Sequence, residues 1–570
     1  MRVRSSSPLK SLGIIGQLVN WRLGWNRYDV NRRPKGLGPK FVSAKEAARL
    51  IPDGSTVVSS GMAGNARCRL LYLTLRDLFL ETGHPRGLTW VALGAQGSRG
   101  KVPGTLEELG HRGLITRMVS SHFETMKAQL RLAEQGALEL QAVPLGSAAL
   151  AIEAQGRGEP SSLTATGVGT FLDARTGPSL VKTDLITPEG DQLRITLPRI
   201  DRAILGVPSA DAEGNLYARG ASVLTEAREG ALAARRNGGL AIAIVSGIVP
   251  KREEEIFLRA EEVDAIVVDP DAEQTMMVPQ RKHWVGLTAG AHEDLPEMIA
   301  RVRQVNRLLG ITPRRSQADN VLARLGAQVF SSVARPGTMV NVGVGHPEEV
   351  CRVIYEGGLF NDVEFCSETG VVGGLPSPGI FFGSAINPTR VETSARLFHE
   401  IFERLDTTIL GLLQVDEQGN VNVSRRGPTM NDYVGPGGLP DLCRAAKNIV
   451  FVGSLTFGAK VEVRGGQVMA APGGKPKFVK QVDEVTFSGR EALRRGQRVH
   501  YVTHLGHFRL TERGLELVAV MPGVDVRRDI LDVCPMAIAL PAGGEPRVLD
   551  RALVTGEGFR LRWGGEAAVP

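Results

Sequence analysis

The most unusual stretch of the sequence places one carboxylate among small residues, in the run Cys366-Ser-Glu368-Thr-Gly-Val-Val-Gly-Gly-Leu-Pro376. A lone glutamate in such a loop is most often a solvated turn residue. The chemical alternative is coherent, because glycines let a ligand approach the backbone and leave N–H groups free to bind an oxyanion. A carboxylate in that setting could be a covalent nucleophile, so Glu368 is the first candidate catalytic residue.

Cys366 is the rival nucleophile in the same stretch. No histidine or basic residue stands near it in sequence to lower the pKa of its thiol, so the pattern favours a small buried cysteine. The chain has five cysteines and no CxxC pair. An odd number in a long chain predicts reduced thiols.

Other catalytic and metal-binding motifs are missing from the sequence. It contains no GxxxxGK[ST], no GxGxxG after a strand, no HExxH and no GxSxG. The ten histidines are scattered, and none has metal-ligand spacing to a cysteine or carboxylate. His504 and His507 are three apart, but the run YVTHLGHFRL alternates like a strand. We therefore expect no metal site.

The composition excludes several classes of protein. The 570 residues are 42% hydrophobic and 23% charged, which is typical of a globular chain and excludes disordered and fibrous classes. The net charge of +7 comes from residues 1–40, which hold nine basic residues and one acid; the rest has 59 basic and 60 acidic residues. A near-neutral body with 5% aromatics argues against nucleic-acid binding.

Residues 1–40 form a basic N-terminal arm. The arm is rich in arginine and poor in acids, so a transit peptide is one interpretation; a surface arm on a cytoplasmic protein is the favoured one. Trp21 and Trp25 lie four apart, which is the spacing of a short amphipathic helix that could dock on the body or on a neighbouring subunit. No apolar run approaches the length of a transmembrane helix.

From residue 41 onward, short β-branched runs alternate with helical stretches, which indicates parallel sheets covered by helices. The predicted strands are Ser55–Gly61, Leu88–Gly94, Ala203–Val207, Leu240–Val249, Ala265–Asp269, Thr338–Val344, Asn448–Ser454, Val499–Thr503 and Leu515–Val520, with helices over Leu70–Thr82 and Glu226–Arg236.

The pattern is repeated within the chain. Asp211-Ala-Glu-Gly-Asn215 and Asp416-Glu-Gln-Gly-Asn420 both follow an apolar run and fit tight turns between strands. Two copies of one fold explain this echo. We predict an α/β protein of two duplicated domains with mainly parallel sheets: a basic arm at 1–40, one domain at 41–290, a linker helix at 291–317 and the second domain at 318–570.

The run Ser367-Glu368-Thr369-Gly370, followed by Gly373-Gly374-Leu-Pro376, resembles the glutamate motif of the family I coenzyme A transferases. Further segments follow the order of the single-chain short-chain acyl-CoA:acetate/3-ketoacid CoA-transferases: Phe79–Thr89, Gly94–Gly97, Gly167–Arg175, Val342–Glu348, Gly411–Ser424, Gly435–Leu442 and Leu515–Leu531. The resemblance covers roughly residues 41–535, and the family's two similar halves agree with the internal duplication.

The resemblance implies an enzyme that transfers CoA between an acyl-CoA and a small carboxylic acid through a glutamyl-CoA thioester on Glu368. It implies no cofactor beyond CoA itself, and a homodimer or homotetramer. The candidate oxyanion and CoA-binding groups are the backbone N–H groups of Gly343, Val344, Gly345, Gly437 and Gly438 and the side-chain amide of Asn422, while Gln96 is a candidate for holding a substrate carboxylate. The same glycines could instead only shape turns.

Several segments depart from the family's pattern. The first-half loop Ser60–Arg67 lacks the usual proline, Phe398–Thr408 replaces a glycine-rich segment, Thr369 replaces an asparagine, and Thr503-His504-Leu505 replaces Thr-Glu-Arg. These changes leave two alternatives open beside the transferase: an acyl-CoA thioester hydrolase that uses the same glutamate, and a non-catalytic acyl-CoA-binding paralogue.

Overall fold

The computed structural model describes residues 8–98, 102–177, 179–311, 315–458 and 460–564. The last residues of the predicted glycine-rich loop at 94–100, and residues 312–314 near the end of the predicted linker at 291–317, lie outside these ranges. The helices are Pro8–Leu23 (α1), Ala44–Ala48 (α2), Arg69–Thr82 (α3), Lys127–Glu134 (α4), Leu145–Arg157 (α5), Ala227–Arg236 (α6), Leu295–Leu309 (α7), Gln317–Val333 (α8), His346–Glu356 (α9), Ser394–Arg404 (α10), Leu439–Ala445 (α11), Gly489–Arg494 (α12) and Arg551–Thr555 (α13).

An eight-stranded, all-parallel sheet organises the first half of the chain. Its strands are Phe41–Val42 (β1), Thr56–Ser59 (β2), Leu88–Ala92 (β3), Ile115–Ser120 (β4), Glu139–Ala142 (β5), Arg202–Gly206 (β6), Leu240–Val245 (β7) and Ala265–Val268 (β8). Their order across the sheet is β1-β8-β7-β6-β2-β3-β4-β5. The apolar runs are buried because helices cover a parallel sheet on both faces.

A ten-stranded sheet organises the second half. Its strands are Met339–Val342 (β9), Glu364–Ser367 (β10), Val371–Val372 (β11), Arg390–Val391 (β12), Leu405–Gly411 (β13), Asn448–Val452 (β14), Arg498–Val502 (β15), Gly506–Thr511 (β16), Gly514–Val520 (β17) and Arg547–Val548 (β18). The order is β12-β11-β10-β9-β13-β14-β15-β16-β17-β18. The five central strands are parallel to one another: β10, β9, β13, β14 and β15. Antiparallel strands flank them, with β11 beside β10 and β16 beside β15.

The remaining strands are short and form small peripheral sheets. They are Ser162–Thr164, Ile186–Glu189, Gln192–Ile195, Ser209–Ala210, Leu216–Tyr217, Gly247–Ile248, Ile256–Leu258, Glu273–Thr275, Val278–Pro279, Leu375–Pro376, Ala385–Ile386, Gln414–Val415, Val421–Asn422, Thr456–Phe457, Val461–Arg464, Gln467–Ala470 and Lys475–Pro476.

The two halves share one strand order, which confirms the predicted duplication. The order β3-β2-β6-β7-β8 in the first sheet corresponds to β10-β9-β13-β14-β15 in the second. The sequence echo marks equivalent turns after β6 and β13. Asp211 Oδ1 accepts hydrogen bonds from the N–H groups of Gly214 and Asn215, and Asp416 Oδ1 accepts one from the N–H of Asn420.

The basic arm contributes a helix, α1, that packs on the first half. Its Ile14 side chain is 4% exposed, and the indole N–H of Trp21 donates to Glu273 Oε1 at 2.6 Å. Glu273 also pairs with the buried guanidinium of Arg67. A helix is therefore present in the arm and docked on the body of the same chain, but it ends at Leu23, so it includes Trp21 and not Trp25. Among the described residues, none of the helices has the length and apolar character that a bilayer crossing requires.

Candidate active site

Glu368 lies in a tight turn between β10 and β11. The N–H of Gly370 donates to the carbonyl of Ser367 at 3.0 Å, which closes the turn around Glu368 and Thr369. Gly370 has φ +98°, and a Cβ there would overlap the carbonyl oxygen of Glu392. Only glycine fits this position, so the turn that carries the carboxylate is fixed by its sequence.

The carboxylate faces a cavity of about 570 Å³ lined by residues of both halves of the chain. The second half contributes β9, the segments that follow β10 and β13, and Val452 at the end of β14, because the carboxyl ends of parallel strands meet at one edge of a sheet. The first half contributes the loops after β2, β3 and β4. Apolar side chains form much of the wall: Met62, Leu145, Met276, Ile380, Phe382, Leu410, Leu412, Val434, Leu439 and Leu442.

The glycine-rich loop Gly435–Gly438 is held against the first half of the chain. The N–H of Gly437 donates to the Ser121 carbonyl at 2.8 Å, and the N–H of Leu145 donates to the Gly437 carbonyl at 3.1 Å. A Cβ at Gly435 would overlap the carbonyl of Ser121. The wall opposite Glu368 is therefore built jointly by the two halves, and its position depends on their packing.

Gly438 is the residue of this loop that approaches Glu368. Its backbone N–H hydrogen-bonds to the Glu368 carboxylate, and a Cβ at this position would overlap Oε2. Burial, as the largest cause, and the nearby Asp441 carboxylate together raise the pKa of Glu368 to about 7, while the Gly438 N–H opposes both. Near neutral pH the carboxyl group of Glu368 is therefore partly ionised. Its carboxylate form is more basic than that of an exposed glutamate and is a better nucleophile.

Asp441 is a second buried carboxylate close to Glu368. It lies in the first turn of α11 and accepts hydrogen bonds from the N–H groups of Gly146 and Ser147 at 2.7 and 3.0 Å, and from Ser147 Oγ at 2.6 Å. These donors belong to the first turn of α5 in the other half. Burial raises the pKa of Asp441 to about 6 despite the three hydrogen bonds that oppose the shift. Asp441 falls within the segment Gly435–Leu442 that carries part of the family resemblance, but no role was predicted for it from the sequence.

The predicted segment Gly343–Gly345 lies on the cavity wall. The N–H of Gly343 is already used, because it donates to the Ile409 carbonyl at 2.8 Å. Within the described residues, the N–H groups of Val344 and Gly345 have no hydrogen-bond partner. Gly345 has φ +92° and directly precedes α9. Two of the three predicted backbone donors are thus free, at the positive end of a helix dipole.

The structure does not bring Asn422 to the cavity. The side chain is fully buried, and its amide N–H group donates to Gln414 Oε1 and to the Arg425 carbonyl, both at 2.7 Å. A contact with substrate would require both hydrogen bonds to break. Its position shapes the turn that leads to Arg426, which lines the cavity and pairs with Glu124 of the first half at 2.8 Å.

Gln96 is likewise held away from the cavity. Its Oε1 accepts from Ser59 Oγ and from the Tyr72 hydroxyl, both at 2.8 Å, and its Nε2 donates to the carbonyls of Ser59 and Gly61. All of its hydrogen-bonding groups are therefore used inside the first half. Gln96 ties the loop after β2 to the loop after β3, and the neighbouring Gly94, Ala95 and Gly97 line the cavity in its place.

Besides Glu124 and Arg426, two further charged residues line the cavity without having been predicted from the sequence as site residues. Glu348, on α9, has its pKa raised to about 7 by burial, and Arg315 lies beside it as a positive charge that lowers that pKa. Glu348 is the last residue of the segment Val342–Glu348, which is part of the family resemblance. Arg315 lies in the predicted linker, where no sequence motif indicated a function. Glu348 and Arg315 also line a second cavity of about 650 Å³ between α7 and α9.

Cys366 is buried at 2% exposure, and burial raises the pKa of its thiol far above the usual range. All five cysteines are free and buried. The structure therefore leaves Glu368 as the nucleophile candidate of this stretch. Thr369, which replaces the family's asparagine, donates its hydroxyl hydrogen to the Gly383 carbonyl and stabilises the turn.

One cluster in the described part of the chain has metal-ligand geometry: Asp319, His346 and His504. The sequence predicted no metal site because these residues belong to three distant segments. His346 lies at the edge of the cavity that contains Glu368, and the other two residues line a neighbouring cavity.

Comparison with known proteins agrees with the resemblance in the sequence. The chain is 30% identical over 547 residues to caffeate CoA-transferase of Acetobacterium woodii. This alignment covers 92% of this chain and 98% of the relative. It is also 30% identical over 509 residues to acetate CoA-transferase YdiF of Escherichia coli strain K12. That alignment covers 86% of this chain and 91% of the relative. No family model matches the chain.

The fold agrees with the same group. The crystal structure of acyl-CoA transferase YdiF apoenzyme from Escherichia coli O157:H7 superposes with a TM-score of 0.79 at 27% identity, covering 93% of this chain and 99% of that one. A thioester complex of that protein with CoA superposes equally well at 26% identity. With a shared fold, full-length coverage and a glutamate at the junction of the two halves, this chain belongs to the family I coenzyme A transferases of the single-chain type.

Proposed function

We propose that this CoA-transferase moves CoA between a short-chain acyl-CoA and a free carboxylate through a covalent thioester on Glu368. The observation that supports the proposal most directly is the position of this carboxylate. It lies at a cavity wall beside the N–H of Gly438, and Val344 and Gly345, whose N–H groups have no partner among the described residues, line the same cavity. A nucleophile and oxyanion donors are the two parts that acyl transfer requires.

The first half-reaction begins when a Glu368 oxygen attacks the thioester carbonyl. The carbon–sulfur bond breaks, CoA leaves as its thiolate and an acyl-glutamyl anhydride forms. The thiolate then attacks Cδ of Glu368, the anhydride C–O bond breaks, and the original acid leaves as its carboxylate. The product is a glutamyl-CoA thioester. The acceptor carboxylate repeats these two steps in reverse and leaves with CoA, so the enzyme returns unchanged.

A carboxylate nucleophile suits this reaction for an energetic reason. An anhydride and a thioester both keep the acyl group activated, whereas an ester on serine would lose that activation. Each tetrahedral state carries a developing oxyanion, and backbone N–H groups aimed at such a charge stabilise it without reorganising. We assign this role to Val344 and Gly345. Gly438 holds the carboxylate before attack and donates to its carbonyl oxygen once the thioester has formed.

The size and polarity of the cavity support a small acyl group. A volume of about 570 Å³ with a largely apolar wall must accommodate the end of the pantetheine arm as well as the acyl and acceptor groups. We propose acetate or a 3-keto acid as the acceptor class. The relatives carry the names of acetate and caffeate CoA-transferases, so an aryl acid belongs in the same substrate panel.

Two further features belong to this proposal. The transfer chemistry needs no cofactor beyond CoA, because every intermediate is formed on Glu368 or on CoA itself. We also propose that the enzyme is a homodimer or homotetramer, which light scattering coupled to size exclusion would measure.

The experiment is a transfer assay from acetyl-CoA to propionate, followed by chromatography of the two CoA esters. Glu368→Gln keeps the shape of the side chain and removes the nucleophile, so we expect turnover to fall more than about 1,000-fold. The matched control is Glu364→Gln, four residues earlier, whose side chain pairs with Arg404 at the surface. Equal turnover of wild type and Glu368→Gln would contradict the proposed role.

A further inference from the structure

Three ligand-type side chains converge from separate elements of the second half. Asp319 lies in the first turn of α8, His346 is the first residue of α9, and His504 lies in the turn between β15 and β16. Asp319 Oδ1 lies 3.1 Å from His346 Nε2 and 3.5 Å from His504 Nε2. All three ligand atoms lie within 4.8 Å of one another.

These separations fit a shared metal ion. Zinc binds histidine nitrogen and carboxylate oxygen at ~2.0–2.2 Å in a tetrahedral arrangement, which places two ligand atoms ~3.4 Å apart. The two measured distances lie on either side of that value. Two histidines and one carboxylate are also a donor set that borderline divalent transition metals favour.

The orientation of Asp319 leaves one oxygen for the two histidines. The other oxygen, Oδ2, accepts hydrogen bonds from the N–H and the hydroxyl of Ser316 at 2.7 and 3.0 Å, which completes the capping box of α8. Oδ1 is therefore directed toward His346 and His504 by a local interaction that does not involve them. Such a supporting contact is typical of metal-ligating carboxylates.

The two ring nitrogens of the buried His504 have few hydrogen-bond partners. The residue is 7% exposed, its Nδ1 has no partner in the described part of the chain, and its only polar contact there is with Asp319 at 3.5 Å. That distance is at the limit for a hydrogen bond. A buried imidazole normally has better partners. A metal ion between the three atoms would bind Nε2 and replace its weak contact with Asp319; it would not contact Nδ1.

We propose that Asp319, His346 and His504 bind one divalent transition-metal ion of the Zn²⁺ class. The cluster borders a cavity of about 580 Å³, which gives room for water as the fourth ligand. Because His346 directly follows Gly345, the ion would fix the turn that presents the N–H groups of Val344 and Gly345 to the catalytic cavity. His504 also lies in a segment where this sequence departs from the family's pattern.

The test uses the full-length enzyme, stripped with a chelator and then loaded with ZnCl₂ or CoCl₂ and desalted. We expect about one Zn²⁺ per chain by elemental mass spectrometry, and a visible absorption band of tetrahedral Co²⁺. His504→Ala and Asp319→Asn should each lose the retained metal and the Co²⁺ band. The side-chain oxygen of asparagine can still accept the hydrogen bond from the Ser316 N–H and complete the capping box of α8, so Asp319→Asn remains informative if His504→Ala does not fold.

His399→Ala is the matched control, because His399 is an exposed histidine that pairs with Glu153. It should bind as much metal as the wild type. The inference would be overturned if the stripped wild type retained neither Zn²⁺ nor Co²⁺, or if His504→Ala and Asp319→Asn retained as much as His399→Ala. None of these readouts depends on the transferase assay.

Discussion

The backbone of Gly438 lies against the carboxylate of Glu368, so closely that a methyl group at residue 438 would overlap Oε2. Gly438 has φ −86° and ψ 0°, a conformation that alanine adopts without strain. The requirement for glycine at this position is therefore one of space beside the nucleophile. Because the peptide N–H of Gly438 also donates to the carboxylate, one residue both positions Glu368 and stabilises its charge.

Gly438→Ala should lower turnover at least about 100-fold by displacing the carboxylate from its donor, while leaving the unfolding temperature nearly unchanged. Steady-state kinetics and thermal unfolding would measure the two effects. Gly437→Ala is the contrasting variant, because Gly437 has φ +58° with open space around its Cα. There the strain of a left-handed alanine should cost ~1–2 kcal/mol of stability and less activity. A reversed pattern would refute this account of the loop.

The pH profile of kcat/KM should follow the ionisation of Glu368. Burial and Asp441 raise its pKa to about 7, so below that pH most of the enzyme carries a protonated carboxyl that cannot attack. We expect log kcat/KM to rise with unit slope up to about pH 7 and to level off above it. A profile that is flat from pH 5 to 8 would contradict the raised pKa.

Asp441→Asn should move that profile to lower pH. The change removes the negative charge that raises the pKa of Glu368, so the carboxylate forms at a lower pH. The amide can replace only part of the acceptor set that binds Gly146 and Ser147, so we also expect a stability loss of ~1–3 kcal/mol. The informative quantity is the pH midpoint, which a purely structural defect would leave in place.

Cys366 should be dispensable for catalysis. Burial raises the pKa of its thiol, and the side chain points into the core beside the β10 backbone. Cys366→Ala should keep turnover within about threefold of wild type and cost ~1 kcal/mol of stability for the small cavity. Loss of activity as severe as that of Glu368→Gln, in a folded Cys366→Ala protein, would reopen the thiol as the nucleophile.

The docked arm supplies a test of packing. The indole N–H of Trp21 donates to the buried Glu273, whereas the indole N–H of Trp25 has no partner among the described residues. Trp21→Phe should therefore lower the free energy of unfolding by ~1–2 kcal/mol more than Trp25→Phe. Urea unfolding of the two variants measures the difference, and equal losses would indicate that the hydrogen bond to Glu273 contributes nothing.

Much of the architecture could be predicted from local patterns. The apolar run at 240–249 contains β7, and the helix over Leu70–Thr82 was placed within one residue, because hydrophobic periodicity is a local property. The repeated Asp-x-x-Gly-Asn turns predicted the duplication for the same reason. The glycines around Glu368 drew attention to this residue, and the resemblance to the family's glutamate motif implied its role as nucleophile.

The contacts between distant segments could not be predicted in this way. Asn422 and Gln96 were candidate ligands by residue type, yet neighbours on adjacent loops use their amides. Asp441 acts on Glu368 only because the first turn of α11 lies beside the turn between β10 and β11. The cluster of Asp319, His346 and His504 joins three helix or strand ends, and spacing rules along the sequence cannot detect such an assembly.

The most direct measurement is the intact mass of the protein after incubation with acetyl-CoA and acidic denaturation. The account predicts an adduct of the mass of CoA minus water, removed by hydroxylamine and mapped to the peptide that contains Glu368. The same adduct should be absent from Glu368→Gln. A CoA adduct on another residue, or turnover of acetyl-CoA in steady state with no covalent intermediate trapped, would contradict the central role given to Glu368.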